Sequence, residues 1–243
     1  MLEKLGKWLD YWGYLLKSKN RHGTHSPFVY LFADRVLYSK PSKFNEYIEF
    51  QRTQMIQSKG KFLQFTLSYF VDNYTLSSKF GQLLTRVCIH YSIANIREYG
   101  WCTGIETNYI LNSFLEIKRP LSYKYFNLEK NQIKETCNHD FWENHDFSDI
   151  EVFENIESSP TLFLFHWSIF NEELFWKEME NVFAFIKNDD IIVVNGLRNN
   201  ENTIINFMRL KNDSRITVTI DLFEIGLFFV RREQPKQDFM LRF

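Results

Sequence analysis

From residue 95 onward, short apolar runs of strand length alternate with amphipathic helical stretches, and this alternation constrains the fold more than any other feature. The runs fall at 95–99, 123–128, 150–154, 161–167 and 191–195, with helical periodicity at 105–117, 130–138, 172–186 and 200–210 between most of them. Strand, helix and strand in succession imply right-handed crossovers and hence a parallel sheet covered on both faces. The end of the chain breaks the pattern. Runs at 216–221 and 227–232 are joined by Leu222-Phe223-Glu224-Ile225-Gly226 alone, which permits only an antiparallel hairpin. The expected fold class is therefore α/β: a mostly parallel, doubly wound sheet with one reversed strand at its C-terminal end.

The first ninety or so residues read instead as helices. Leu2, Leu5, Trp8, Leu9, Trp12, Leu15 and Leu16 recur at three- and four-residue steps, one apolar stripe on a helix. Acids and bases line the other face, so the stripe is expected to dock on the chain's own domain rather than on a membrane surface or a partner. Ser26-Pro27 marks the next helix start, the hydroxyl capping free N–H groups and proline standing where none is needed. That helix runs to about residue 38, and further helical stretches follow at 45–58, 62–73 and 77–91. The organisation read from this is a helical cap region over 1–92 and an α/β domain over 93–243, forming one compact unit.

A chain of 243 residues with net charge −1 can build a full core and offers no bulk electrostatic attraction to nucleic acid or anionic membrane. No apolar run is long enough to span a bilayer, and the N-terminal segment carries Glu3 and Asp10 and lacks a small-residue cleavage site. Cys88, Cys102 and Cys137 are widely spaced, which fits a reducing, cytoplasmic setting better than a disulfide framework. Aromatics make up 18% of the chain, with 25 Phe against only 9 Gly. Any close backbone approach to a ligand must therefore use one of a few identifiable glycines. The aromatic stock also allows self-association, although it singles out no surface.

Ligands of doubly wound sheets bind beyond the carboxyl ends of the strands, usually after the first. There the chain reads Arg97-Glu98-Tyr99-Gly100-Trp101-Cys102-Thr103-Gly104 before a helix. Gly100 allows a tight turn, and Gly104 lets the helix N-terminus approach a ligand. The spacing is neither the GxGxxG dinucleotide fingerprint nor a P-loop. The second strand ends in Glu129, about 25–30 residues beyond the glycines, where a carboxylate can accept hydrogen bonds from a ribose diol.

On these residues the chain resembles the class I S-adenosylmethionine (SAM)-dependent methyltransferases, near a bacterial small-molecule O-methyltransferase subgroup. The resemblance is strongest in Asn20-Arg21-His22-Gly23-Thr24-His25-Ser26-Pro27-Phe28-Val29-Tyr30 and in the tail from Ile216 through Gln234. It implies a seven-stranded methyltransferase sheet whose last strand is the antiparallel one. It also implies that Glu98, Gly100 and Gly104 match the SAM loop, with Trp101 inside it, and that Glu129 is the ribose-binding acid. Departures accompany it. Where the family carries an acidic Asp-Gly after its fourth strand, this chain has Phe165-His166-Trp167-Ser168, and after the fifth strand Asn195-Gly196-Leu197-Arg198 replaces Asp-Asp. A glycine-rich loop expected in the N-terminal half is replaced at 64–69. Carboxylates suited to a divalent metal are missing from both strand tips, so no metal is expected.

Two readings of His166 stay open: a metal-independent general base, or a histidine buried among Phe165, Trp167 and Phe170 and bonded to backbone. Asn195 is a candidate polar contact to substrate, and Trp101 either stacks on adenine or fills the pocket. His22 and His25, and the group His139, Asp140, His145 and Asp146, read as capping or aromatic-anchored loops rather than metal sites. The function expected from the resemblance is SAM-dependent methylation of a small molecule at oxygen without a divalent metal. The alternative is a catalytically silent binding or scaffold relative. A nicotinamide-dependent dehydrogenase is disfavoured by the missing third glycine.

Overall fold

The computed structural model describes residues 2–20, 23, 25–40, 46, 48–50, 53, 77–100, 104–117, 120–126, 156, 158–167 and 172–243. The strand-length run at 150–154 and the helical stretches at 62–73 and 130–138 lie outside them. Four helical elements are α1 (Leu2–Lys17), α2 (Pro27–Phe32, continued by a π-helical turn over Ala33–Leu37), α3 (Ser78–His90) and α4 (Ile105–Ile117), with β1 (Asn95–Tyr99) between the last two. There follow β2 (Ser122–Phe126), β3 (Thr161–His166), α5 (Glu172–Phe185), β4 (Ile191–Asn195) and α6 (Glu201–Asn212). The chain ends with β5 (Val218–Asp221), β6 (Ile225–Phe229) and β7 (Gln237–Met240).

These strands form one seven-stranded sheet in the order β2-β1-β3-β4-β6-β5-β7. β2, β1, β3 and β4 run parallel, and β6 is antiparallel to both β4 and β5. Reversal therefore falls where the short connection requires it. It is not in the last strand, however: β7 follows and pairs parallel with β5 at the edge. The next rim is covered by the chain just after α1, where Lys19 N–H donates to Met240 O at 2.8 Å and Arg242 N–H to Lys19 O at 2.8 Å. An open edge is a template for unwanted pairing, and this contact shields it.

Alternate residues of a strand face opposite sides, and here both sides are apolar. Ile191 and Val193 of β4 join a core with Val29, Phe32, Leu83 and Phe114. Ile192 and Val194 join a second with Phe175, Met179 and Phe207 on the other side. Because α2 and α3 share the first core with the strands, the N-terminal helices and the sheet are packed together. Ser26 caps α2 and Pro27 opens it. The buried Arg86 of α3 donates from Nε to Val36 O at 2.7 Å, answering a carbonyl left open where the π-helical turn ends.

α3 and α4 meet at a glycine. A Cβ on Gly81 would lie 2.3 Å from Cδ2 of Tyr109, whose side chain is fully buried. The ring has nowhere to go, so Gly81→Ala is expected to destabilise the fold by about 1–3 kcal/mol through overpacking. Urea unfolding checks this. An unchanged midpoint would show that the helices can part at no cost.

α1 docks by a face other than the expected one. Tyr14 is buried and its hydroxyl donates to Leu241 O. The Phe223 ring packs edge-on against Tyr11 at 5.0 Å and tilted against Tyr14 at 5.3 Å. Arg198 holds Asp221 with two hydrogen bonds, at 2.9 and 2.5 Å, beneath the same rings. Leu9, Trp12 and Leu16 of the leucine stripe are exposed. The reason is chemical. The tyrosine hydroxyl and the rings meet the open carbonyls and the guanidinium at this sheet edge, which aliphatic side chains could not do.

Candidate functional site

The carboxyl ends of β1, β3 and β4 carry Glu98, His166 and Asn195. In parallel register His166 stands opposite Asn195, and Glu98 opposite Leu164, two residues before His166. All three side chains project from the face that α4 covers. Glu98 and His166 have no exposed side-chain surface, and Nε2 of His166 lies 2.8 Å from Oε1 of Glu98. The other carboxylate oxygen accepts from Thr107 Oγ1 at 2.8 Å and from Tyr123 OH at 2.7 Å. One carboxylate thus ties together β1, β2, β3 and the first turn of α4. The Asn195 amide stands 3.5 Å from His166 Nδ1 and can present oxygen or nitrogen to it according to the ring's protonation.

Burial alone would lower His166, but the hydrogen bond and charge of Glu98, with a further contribution from Glu106, raise it above its ordinary value of 6.5. Burial alone would raise Glu98, but His166, Tyr123 and Thr107 hold it below its ordinary 4.5. Both directions describe an ion pair. A raised histidine stabilises the fold in full below 6.5 and ceases to as pH rises through its folded value. A lowered carboxylate stabilises it in full above 4.5 and ceases to as pH falls through its folded value. The contributions overlap between the two. The stability difference between wild type and Glu98→Gln, from urea unfolding, is accordingly expected to be greatest between pH 4.5 and 6.5 and to shrink as the pH rises beyond that window. A difference that does not vary with pH would contradict the pairing.

The chain turns directly above this pair. Gly100 N–H donates to Phe126 O at 3.0 Å, extending the β1–β2 ladder. Its φ is then +91°, and a Cβ would sit 2.8 Å from the carbonyl oxygen of His166. Gly104, with φ +85°, starts α4, and its carbonyl accepts from Asn108 N–H at 2.9 Å. Gly100 at the end of β1 and Gly104 at the start of α4 are therefore both left-handed, and at the amino end of a helix the dipole favours an anionic or polar ligand. Trp101, between the two glycines in sequence, and Glu129 after β2 lie outside the described residues, as do His22 and the group at 139–146.

Phe165 does not stand in this turn. Its ring stacks on Tyr99 at 4.4 Å, and Tyr99 on Phe126 at 4.6 Å, a ladder of three rings across β3, β1 and β2. That ladder belongs to the core on the other side of the sheet. Trp167 is buried there too, with Phe175 at 5.1 Å. The aromatic residues beside His166 therefore pack away from Glu98, and the crowding suggested by their adjacency in sequence is not the arrangement found. The Glu98–His166 contact was not anticipated; its only sequence signal is a carboxylate and an imidazole at the ends of two apolar runs.

The sheet order, with β6 the one reversed strand among the described residues, and the passage from β1 through Gly100 to α4 match the class I methyltransferase fold. Two solved structures with this arrangement are similar over most of their length. One is a methyltransferase of Podospora anserina bound to S-adenosylhomocysteine (SAH), 13% identical, with TM-score 0.53, covering 86% of this chain and 99% of that one. The other is the O-methyltransferase TomG of Streptomyces achromogenes, involved in tomaymycin synthesis and bound to SAM, 12% identical, with TM-score 0.50, covering 84% and 95%. No family model matches the chain, and no curated protein matches it in sequence.

Proposed function

We propose that this chain binds SAM at the Gly100–Gly104 turn and methylates a small molecule, at oxygen and without a divalent metal. The observation that carries the reading is a pair of positive-φ glycines, Gly100 directly after β1 and Gly104 directly before α4. A cradle without side chains at its corners fits a nucleoside-bearing ligand pressed against backbone. Bound there, SAM supplies an electrophilic methyl group. Glu129 is assigned to the ribose hydroxyls and Trp101 to the adenine.

His166 takes a different part from the free base considered above. Its Nε2 is held by Glu98 and its side chain has no exposed surface, so we assign it as a positioning residue whose main chain backs the Gly100 turn. Asn195, at the neighbouring strand tip, fixes the ring from its other nitrogen. Methyl transfer then depends on aligning donor and acceptor, with an acceptor whose hydroxyl is acidic enough to need no strong base. The same burial favours a second reading, a SAM-binding relative without turnover, because the ring is committed to Glu98.

Thermal unfolding with SAM, SAH and NAD separates these. SAM or SAH at about 100 times its dissociation constant is expected to stabilise the chain by about 2.7 kcal/mol, and NAD to do nothing. Radiolabel transfer from methyl-labelled SAM to phenolic and hydroxylated acceptors would then mark an enzyme, whereas stabilisation without transfer would mark the silent relative. No stabilisation by SAM or SAH would contradict both.

A further inference from the structure

One carboxylate fastens the chain on both sides of the proposed SAM site. Glu98 stands two residues before Gly100, and Thr107, which donates to it, is the third residue of α4, directly after Gly104. The same carboxylate holds the His166 ring at the tip of β3, and the His166 carbonyl oxygen lies 2.8 Å from where a Cβ on Gly100 would sit. The charges facing that ring are unequal. β1 supplies Glu98 and α4 supplies Glu106, both fully buried, and each raises the ring's hold on a proton. β2 supplies Tyr123, whose hydroxyl donates to Glu98, and β4 supplies Asn195, 3.5 Å from Nδ1. Among these groups His166 is the one that can carry positive charge.

We propose that the site is proton-linked: its ligand binds the form in which both ring nitrogens of His166 carry protons, and where Nδ1 is bare, binding draws a proton onto it from solvent. This rests on the reading that SAM is held at Gly100 and Gly104. With Nδ1 protonated, one cation stands beside two buried carboxylates, Nε2 donates to Glu98, and the Asn195 oxygen accepts from Nδ1. When that proton leaves, the Asn195 amide turns its nitrogen to the ring, and Glu98 keeps only a neutral donor. Glu98 and Glu106 are then without a cation, in a setting that screens them little. Drawing the tip of β3 and the first turn of α4 apart from the end of β1 relieves the repulsion. That is the backbone on which a ligand at Gly100 relies. A ligand that needs it in place therefore prefers the protonated ring, and by reciprocity strengthens the ring's hold on its proton. Because His166 is raised above 6.5 before any ligand binds, the loss of affinity falls above that value.

Titration calorimetry of SAH into the full chain from about pH 6 to about pH 9.5 tests this, with buffers of different ionisation enthalpy at each pH so that proton uptake is read directly. Affinity is expected to fall by at least about tenfold across the range, with uptake of up to about one proton on the falling limb. In His166→Gln, whose amide can donate to Glu98 but cannot titrate, the fall is expected to shrink to what the ammonium group of SAH itself contributes. Nuclear magnetic resonance of the His166 ring in the wild-type chain needs no variant, and its titration midpoint is expected to rise when SAH is added. Affinity profiles that match in the two proteins, or a ring midpoint that SAH leaves unmoved, overturn the proposal and leave SAM binding standing. No binding of SAH at any pH overturns both.

Discussion

Replacing Glu98 with alanine is expected to lower the unfolding free energy by about 3–5 kcal/mol, the cost of leaving a buried charge without its partner. The substitution would remove the acceptor shared by three donors: the His166 ring, the Thr107 hydroxyl and the Tyr123 hydroxyl. Neither side chain of the pair has exposed surface, so water cannot take over the contact without opening the junction of β1, β3 and α4. His166→Ala should also destabilise, by abandoning the carboxylate. The double variant should cost less than the two added together, with a coupling of about 1–3 kcal/mol. Urea unfolding of the four proteins at about pH 6 gives that coupling. Strict additivity would mean that the two side chains are neighbours without being partners.

Gly100→Ala is expected to act on ligand binding more than on the fold. At φ +91° an alanine is strained, and its Cβ would press on the His166 carbonyl at 2.8 Å. Strain of this kind costs about 1–3 kcal/mol. The main chain can relieve it by moving Gly100 away from β3, at the point where it leads towards α4. A ligand that relies on that cradle should lose at least about tenfold in affinity, while the sheet, stabilised by cores on both faces, stays folded. Retention of the far-ultraviolet spectrum with loss of SAH binding is the signature. Loss of both would place Gly100 in the folding core instead.

These two residues differ in how far the sequence disclosed them. The position of Gly100 after β1 and of Gly104 before α4 was legible because a strand-length apolar run, two of nine glycines and a helix follow one another in order. The reversed strand was legible from the brevity of residues 222–226, although the structure narrows the connection to 222–224 with Phe223 at φ +75°. The Glu98–His166 pair was not legible, because its partners are 68 residues apart and meet only when β1 and β3 lie side by side in one register. β7 left no signal either. Gln237–Met240 is short and only partly buried, and it forms because β5 offers an open edge. In α1 the spacing revealed an apolar stripe but not which face would dock. The outcome was decided by Tyr14 and Phe223 against Arg198 and the Leu241 carbonyl, contacts distant in sequence.

The central claim is that a turn between two left-handed glycines, backed by a buried ion pair, binds the nucleoside of SAM. Isothermal titration of SAH into the wild-type chain and into Gly100→Ala tests it most directly. The account predicts saturable one-site binding to wild type in the micromolar range, with at least about a tenfold loss in the variant. No heat of binding at about 1 mM SAH, or equal affinity in the two proteins, would contradict it.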